Sequence, residues 1–184
     1  MYLLIALLLT SLVCCTGIEK PVKQERYFDN MGWFQAELKS KQKANPEIEK
    51  TLWVDGDSSR VNAHPESWQK ELGIFMETDL NKAVYAGKFK VDTQVLADRS
   101  IMITCLAADP DINIRKYTVQ KKNDAVIKVS AELLSRSPLL RTAMRWSYMP
   151  DSGYDLKGLH EMKGLRINEF DVRARFRPQA QNAP

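Results

Sequence analysis

Cysteine, histidine and glycine are all scarce in this chain, and each shortage removes a class of protein. Three cysteines in 184 residues, two of them adjacent at Cys14 and Cys15, cannot form the disulfide framework of a small secreted scaffold. Two histidines, His64 and His160, fall short of a His-based zinc site unless several carboxylates or thiolates stand close by. His160-Glu161 also lacks the second histidine of a metalloprotease helix. The eight glycines form no phosphate-cradling loop, no Gly-x-Ser-x-Gly elbow and no dinucleotide fingerprint. Size is no obstacle: 184 residues, 44% apolar and 27% charged, have the composition of a globular domain with a sizeable core.

Long apolar runs are missing as well. The run from Leu3 to Val13 is about half of the roughly 20 residues a membrane-spanning helix needs, but it suits the h-region of a secretory signal. Its n-region is unusual in offering no Lys or Arg. The residues that follow, Leu12-Val13-Cys14-Cys15, resemble a bacterial lipobox with Cys15 as the acylated residue, although Cys14 stands where Gly, Ala or Ser is usual. Cleavage before Cys15 would leave a diacylglycerol-bearing cysteine and a stable membrane anchor without a transmembrane helix. Ordinary secretion with cleavage near Gly17 and an uncleaved buried helix are the alternatives. Residues 1–14 are thus expected as signal peptide, 15–24 as a short polar tether, 25–177 as a single domain and 178–184 as a disordered tail.

Candidate chemistry is thin. Cys105 lies in the apolar run Ile101-Met102-Ile103-Thr104-Cys105-Leu106, far in sequence from either histidine, whereas a catalytic thiolate needs an electropositive, partly exposed setting. It reads as a buried structural cysteine. Asp55, Asp57, Ser59 and Glu66 match positions 1, 3, 5 and 12 of a calcium loop, but Arg60 replaces the glycine of its sharp turn. A hairpin turn followed by a helix start explains the same residues. The sequence therefore assigns no catalytic residue, no metal ligand and no cofactor, and the expectation is a non-catalytic protein.

Helical periodicity marks residues 25–44, with Tyr27, Met31, Phe34 and Leu38 on one side and Asn45-Pro46 as a stop. A strand pair follows, 49–54 and 58–62, hinged at Asp55-Gly56-Asp57, and a second helix runs from Pro65 to about Leu80. Beyond residue 84 the period becomes two. Strands are expected at 84–92, 101–107, 112–120, 125–134, 139–149 and 165–177, with a short one near 154–159. The short connections leave no room for crossover helices. The predicted fold is α+β: N-terminal helices packed on a curved antiparallel β-meander of about six to eight strands, in the manner of a half-barrel.

Charge is unevenly spread. Residues 1–110 hold 13 Lys and Arg against 15 Asp and Glu, while the rest of the chain holds 14 against 8. Much of the excess is Arg141, Arg145, Arg173, Arg175 and Arg177, on alternating strand positions and therefore on one sheet face in each strand. One reading is a basic surface for anionic headgroups, acidic polysaccharide or nucleic acid. The other, which the pattern favours, is a solvated face whose arginines answer carboxylates such as Glu169 and Asp171. Export speaks against nucleic acid. Among the aromatics, Trp68 and Trp146 fall on inward faces, while Trp33 and Trp53 fall off the main apolar stripes and are candidates for contact.

Several segments together, Trp68-x-x-Glu71-Leu72-x-x-Phe75, Asp79-Leu80-Asn81-Lys82, Gly87-Lys88-Phe89-Lys90-Val91, Tyr148-Met149-Pro150-x-x-Gly153-Tyr154 and Phe170-Asp171-Val172-Arg173-Ala174-Arg175-Phe176, resemble a group of small uncharacterised lipoproteins from Bacteroidetes. The resemblance implies a lipid-anchored envelope domain, with no activity and no catalytic residues to transfer. The expectation is an outer-membrane lipoprotein facing the periplasm that binds another envelope component. Its contact residues are sought among Trp33, Trp53, Arg141, Arg145, Arg173 and Arg175. A carrier or chaperone with an apolar ligand held between sheet and helices is the alternative.

Overall fold

The computed structural model describes residues 27–162 and 168–177. The signal segment, Cys14, Cys15, the tether and the tail 178–184 lie outside the described residues. Two helices, α1 (Asn30–Ala44) and α2 (Trp68–Met76), accompany nine strands, more than the six to eight expected. The strands are β1 (Glu47–Val54), β2 (Asp57–Ala63), β3 (Phe89–Val95), β4 (Ile101–Ala107), β5 (Ile114–Lys122), β6 (Ala125–Arg136), β7 (Leu140–Met149), β8 (Gly153–Met162) and β9 (Asn168–Arg177). All pair antiparallel in one open sheet, in the order β2-β1-β9-β8-β7-β6-β5-β4-β3. The meander therefore covers β3 to β9, and the β1–β2 hairpin adds to its β9 edge.

Local chemistry accounts for the element ends. Asp29 caps α1 by accepting from the Gly32 N–H at 2.9 Å, and Asn45 closes it in the left-handed region at φ 38. The helix therefore begins at Asn30 rather than at residue 25. Ser67 caps α2, which is shorter at both ends than the expected 65–80. The β1–β2 turn is Asp55-Gly56, both with positive φ, as a two-residue hairpin of twist-matched hand requires. Asp57 and Ser59 belong to β2, so the calcium-loop spacing is that of a hairpin.

Most strand ends shift by a residue or two from expectation, and two strands differ more, for visible reasons. Val84 and Tyr85 sit in a single 3-10 turn, and Gly87 at φ 67 breaks the alternation, so β3 starts only at Phe89. Conversely β8 runs on to Met162, beyond the expected end at 159, because His160, Glu161 and Met162 pair with Thr142, Arg141 and Leu140 of β7; it contains Gly158, a residue that usually weakens a strand. Here the ring of Phe170 on β9 lies over it: a Cβ at 158 would come within 2.1 Å of that ring.

Both helices pack on one face of the sheet. Fully buried Phe34 and Leu72 come from the helices, and Tyr117, Val129, Trp146 and Tyr148 from the strands. Their rings interlock, with Phe75 and Trp146 at 5.1 Å and Phe34 and Tyr148 at 5.2 Å between centroids. Each such pair adds about 0.5–1.5 kcal/mol beyond simple burial. Polar ties thread the same core. Buried Asn30 donates through Nδ2 to the Phe75 carbonyl at 2.9 Å and accepts from the Tyr117 hydroxyl at 2.5 Å, which binds α1, α2 and β5 at one point. The Tyr148 hydroxyl donates to Glu37 at 3.0 Å, and that of Tyr154 donates to Glu71. Burial, with Glu37 and Glu71 adding to it for the last two, pushes all three tyrosine pKa values well up, which keeps them neutral donors.

Candidate functional site

The second face of the sheet is covered by neither helix, and its side chains form rows that run across the strands. Register aligns Thr104, Thr118, Ser130, Ser147, Asp155 and Arg173 on consecutive strands β4 to β9. A parallel row holds Lys116, Glu132, Arg145, Lys157, Asp171 and Trp53, from β5 to β1. Register shifts at Ile114/Lys116 and Gln120/Lys121 bracket the middle of β5, between which Lys116, Thr118 and Gln120 alternate on this face.

Short hydroxyl side chains between long cationic ones leave a hollow. This trough has a volume of about 650 Å³. Thr118, Ser130 and Ser147 line its middle. Lys116, Arg145 and Lys157 stand along one flank, while Lys128 and Arg175 stand along the other. A neighbouring hollow of about 470 Å³ shares Lys157 and includes Trp53, Gly56 and Asp171.

The charges on this face do not cancel. Arg145 meets Glu132 at 3.5 Å, Arg175 meets Asp155 at 2.7 Å, and Lys157 and Arg173 share Asp171 at 2.9 and 3.2 Å. Among the described residues, Lys116 and Lys128 have no ion-pair partner, so the trough is basic even after its pairs are formed. Burial raises the Asp171 carboxyl, but the hydrogen bonds and charges of Lys157 and Arg173 outweigh it and hold the group below the ordinary aspartate range.

The predicted contact residues divide between the two faces. Arg145, Arg173 and Arg175 line the trough, and Trp53 lines the neighbouring hollow just beyond its β9 end, with the Arg173 guanidinium 4.8 Å from its ring centroid. Arg141 shares the face but lies toward the β6–β7 turn, paired with Glu161 at 3.4 Å. Trp33 is on the opposite side, packed edge-on to Phe34 at 4.8 Å and Tyr148 at 5.9 Å as part of the core margin. Sequence reasoning misses Lys116, Thr118 and Ser147 as site residues. Alternation puts Lys128, Ser130 and Glu132 on one face of their strand, but it supplies no register to join them to their neighbours.

Cys105 is buried beneath the helices, opposite Tyr117, and burial pushes its thiol up to about 11. It is a protonated core side chain at neutral pH. His160 on β8 stacks on Phe170, with three strands between it and β4. His64 is exposed between β2 and α2. Among the described residues no cluster of His, Cys, Asp and Glu could hold a metal ion, and no helix is long and apolar enough to cross a membrane. No protein-family model, curated protein or solved structure matches the chain.

Proposed function

We propose that this chain is a non-catalytic, lipid-anchored protein of the cell envelope that binds an anionic envelope component in the trough on its helix-free sheet face. The anchor is the acylated thiol of Cys15, placed by the lipobox-like sequence, with the domain facing the periplasm from the outer membrane. The resemblance to small Bacteroidetes lipoproteins supports the same setting.

The observation that carries the binding role is the uncompensated charge of Lys116 and Lys128 on the rims of a 650 Å³ hollow. Solvated faces usually neutralise their cations across strands, as Arg145 does with Glu132 and Arg175 with Asp155, while Arg173 pairs with Asp171 on its own strand. A hollow that retains net positive charge raises the local concentration of anions. The alternative, a half-barrel carrier with an apolar ligand between sheet and helices, has less support. That space is occupied by Phe34, Phe75, Trp146 and Tyr148, which have 0% exposure.

The test is site-specific photo-crosslinking in intact cells, with the photoreactive residue at Ser130 in the trough or at Gln35 on the exposed side of α1. A discrete adduct from Ser130 and none from Gln35 is expected. Absence of an adduct from Ser130, or the same adducts from both sites, overturns the reading.

A further inference from the structure

We infer that the trough's ligand is a carboxylate-bearing saccharide chain lying across the strands from β5 toward β9, an inference that rests on the trough being the functional face. The floor argues for a sugar. Thr118, Ser130 and Ser147 present a row of hydroxyls on three adjacent strands, each able to donate and accept. None of the three has a hydrogen-bond partner among the described residues, and each is partly open to solvent. Strands lie about 4.8 Å apart, so the row offers a hydroxyl at intervals of the same order as successive rings of a saccharide.

The rims argue for carboxylates. Lys116 and Lys128 stand singly on opposite flanks and do not converge on one point, as a doubly charged phosphate group would need. Dispersed single charges suit a chain that carries one negative group per sugar. Beyond them Trp53 offers a ring at the β9–β1 end, its plane held by Arg173.

An acidic polypeptide is the chief competitor and fits less well. Protein interfaces concentrate their energy in buried apolar and aromatic anchors. Of the side chains that line the trough on this face, only Met102 is apolar, since Ala131 and Trp146 point toward the helices.

Isothermal titration calorimetry on the full-length protein in detergent tests this, with oligogalacturonate, a neutral galactose oligomer and polyglutamate of similar length as probes. Oligogalacturonate should bind, and the neutral oligomer should bind at least about tenfold more weakly. Ser130→Leu, which fills the floor and leaves every charge, and Lys128→Glu, which leaves the floor, should each weaken oligogalacturonate by about tenfold. Polyglutamate binding as tightly as oligogalacturonate and indifferent to Ser130→Leu overturns the saccharide assignment. So does a lack of oligogalacturonate binding. Both results leave the trough itself standing if Ser130 still yields its crosslink in cells, whereas loss of that crosslink removes the binding role altogether.

Discussion

The guanidinium of Arg173 lies over the indole of Trp53 at 4.8 Å from the ring centroid, across the junction of β9 and β1. Two chain segments far apart in sequence thereby meet where the trough adjoins the neighbouring hollow. Both side chains are partly open, so their contact contributes only about 0.5–1 kcal/mol to stability, and its importance lies in orienting the ring. Occupation of the trough should therefore change indole emission through Trp53. Trp53→Phe is expected to abolish the fluorescence change on adding oligogalacturonate, and Trp33→Phe to preserve it. The reverse pattern would place the ligand on the helix side.

Asp171 makes the same corner sensitive to acid. Its folded-state pKa is depressed, so the stability it contributes is complete above the unfolded aspartate value and is lost as pH falls through the folded one. As pH falls below the ordinary aspartate value of about 4, the wild type should lose more stability than Asp171→Asn. Parallel urea-unfolding curves for the two proteins across that range would contradict it.

Asn30 is expected to be the most sensitive polar position of the core. Asn30→Ala removes the acceptor of the Tyr117 hydroxyl, which leaves that buried group unpaired, and it removes the short bond to the Phe75 carbonyl, which keeps the longer Thr78 N–H contact at 3.4 Å. The expected cost is about 2–4 kcal/mol in denaturant unfolding. A loss under about 0.5 kcal/mol, the range of ordinary surface substitutions, would mean that the junction of α1, α2 and β5 is held by packing alone.

Cys15 carries the proposed anchor. Cys15→Ser should move the protein from the membrane pellet to the soluble fraction on cell fractionation, and mass spectrometry should lose the acyl mass. Retention in the pellet would remove lipidation from the account.

Legibility in the sequence follows the locality of the interactions. Alternation in 125–134 and 165–177 identifies β6 and β9, because a strand with one buried face carries that pattern in its own residues. β8 is underestimated at its far end, since residues 160–162 are held in the sheet by pairing with Leu140, Arg141 and Thr142 of β7, which their own sequence does not show. The seating of β1 beside β9 joins Ile48 to Phe176, a pairing with no signal in either segment alone. Arg145, Arg173 and Arg175 are visible as a shared-face pattern, but the trough depends on rows that cross strands, and register is what makes a row. Trp33 is misplaced because Phe28, which precedes the helix and lies outside its periodicity, packs against it at 6.0 Å.

Amine-labelling footprints of Lys116 and Lys128, compared between purified protein and intact envelope, test the central claim most directly. Both lysines should label in the purified protein and be protected in the envelope, while Lys39 on α1 and Lys70 on α2 label equally in both. Equal labelling of Lys116 and Lys128 in the two settings would contradict the assignment of the trough as the binding site.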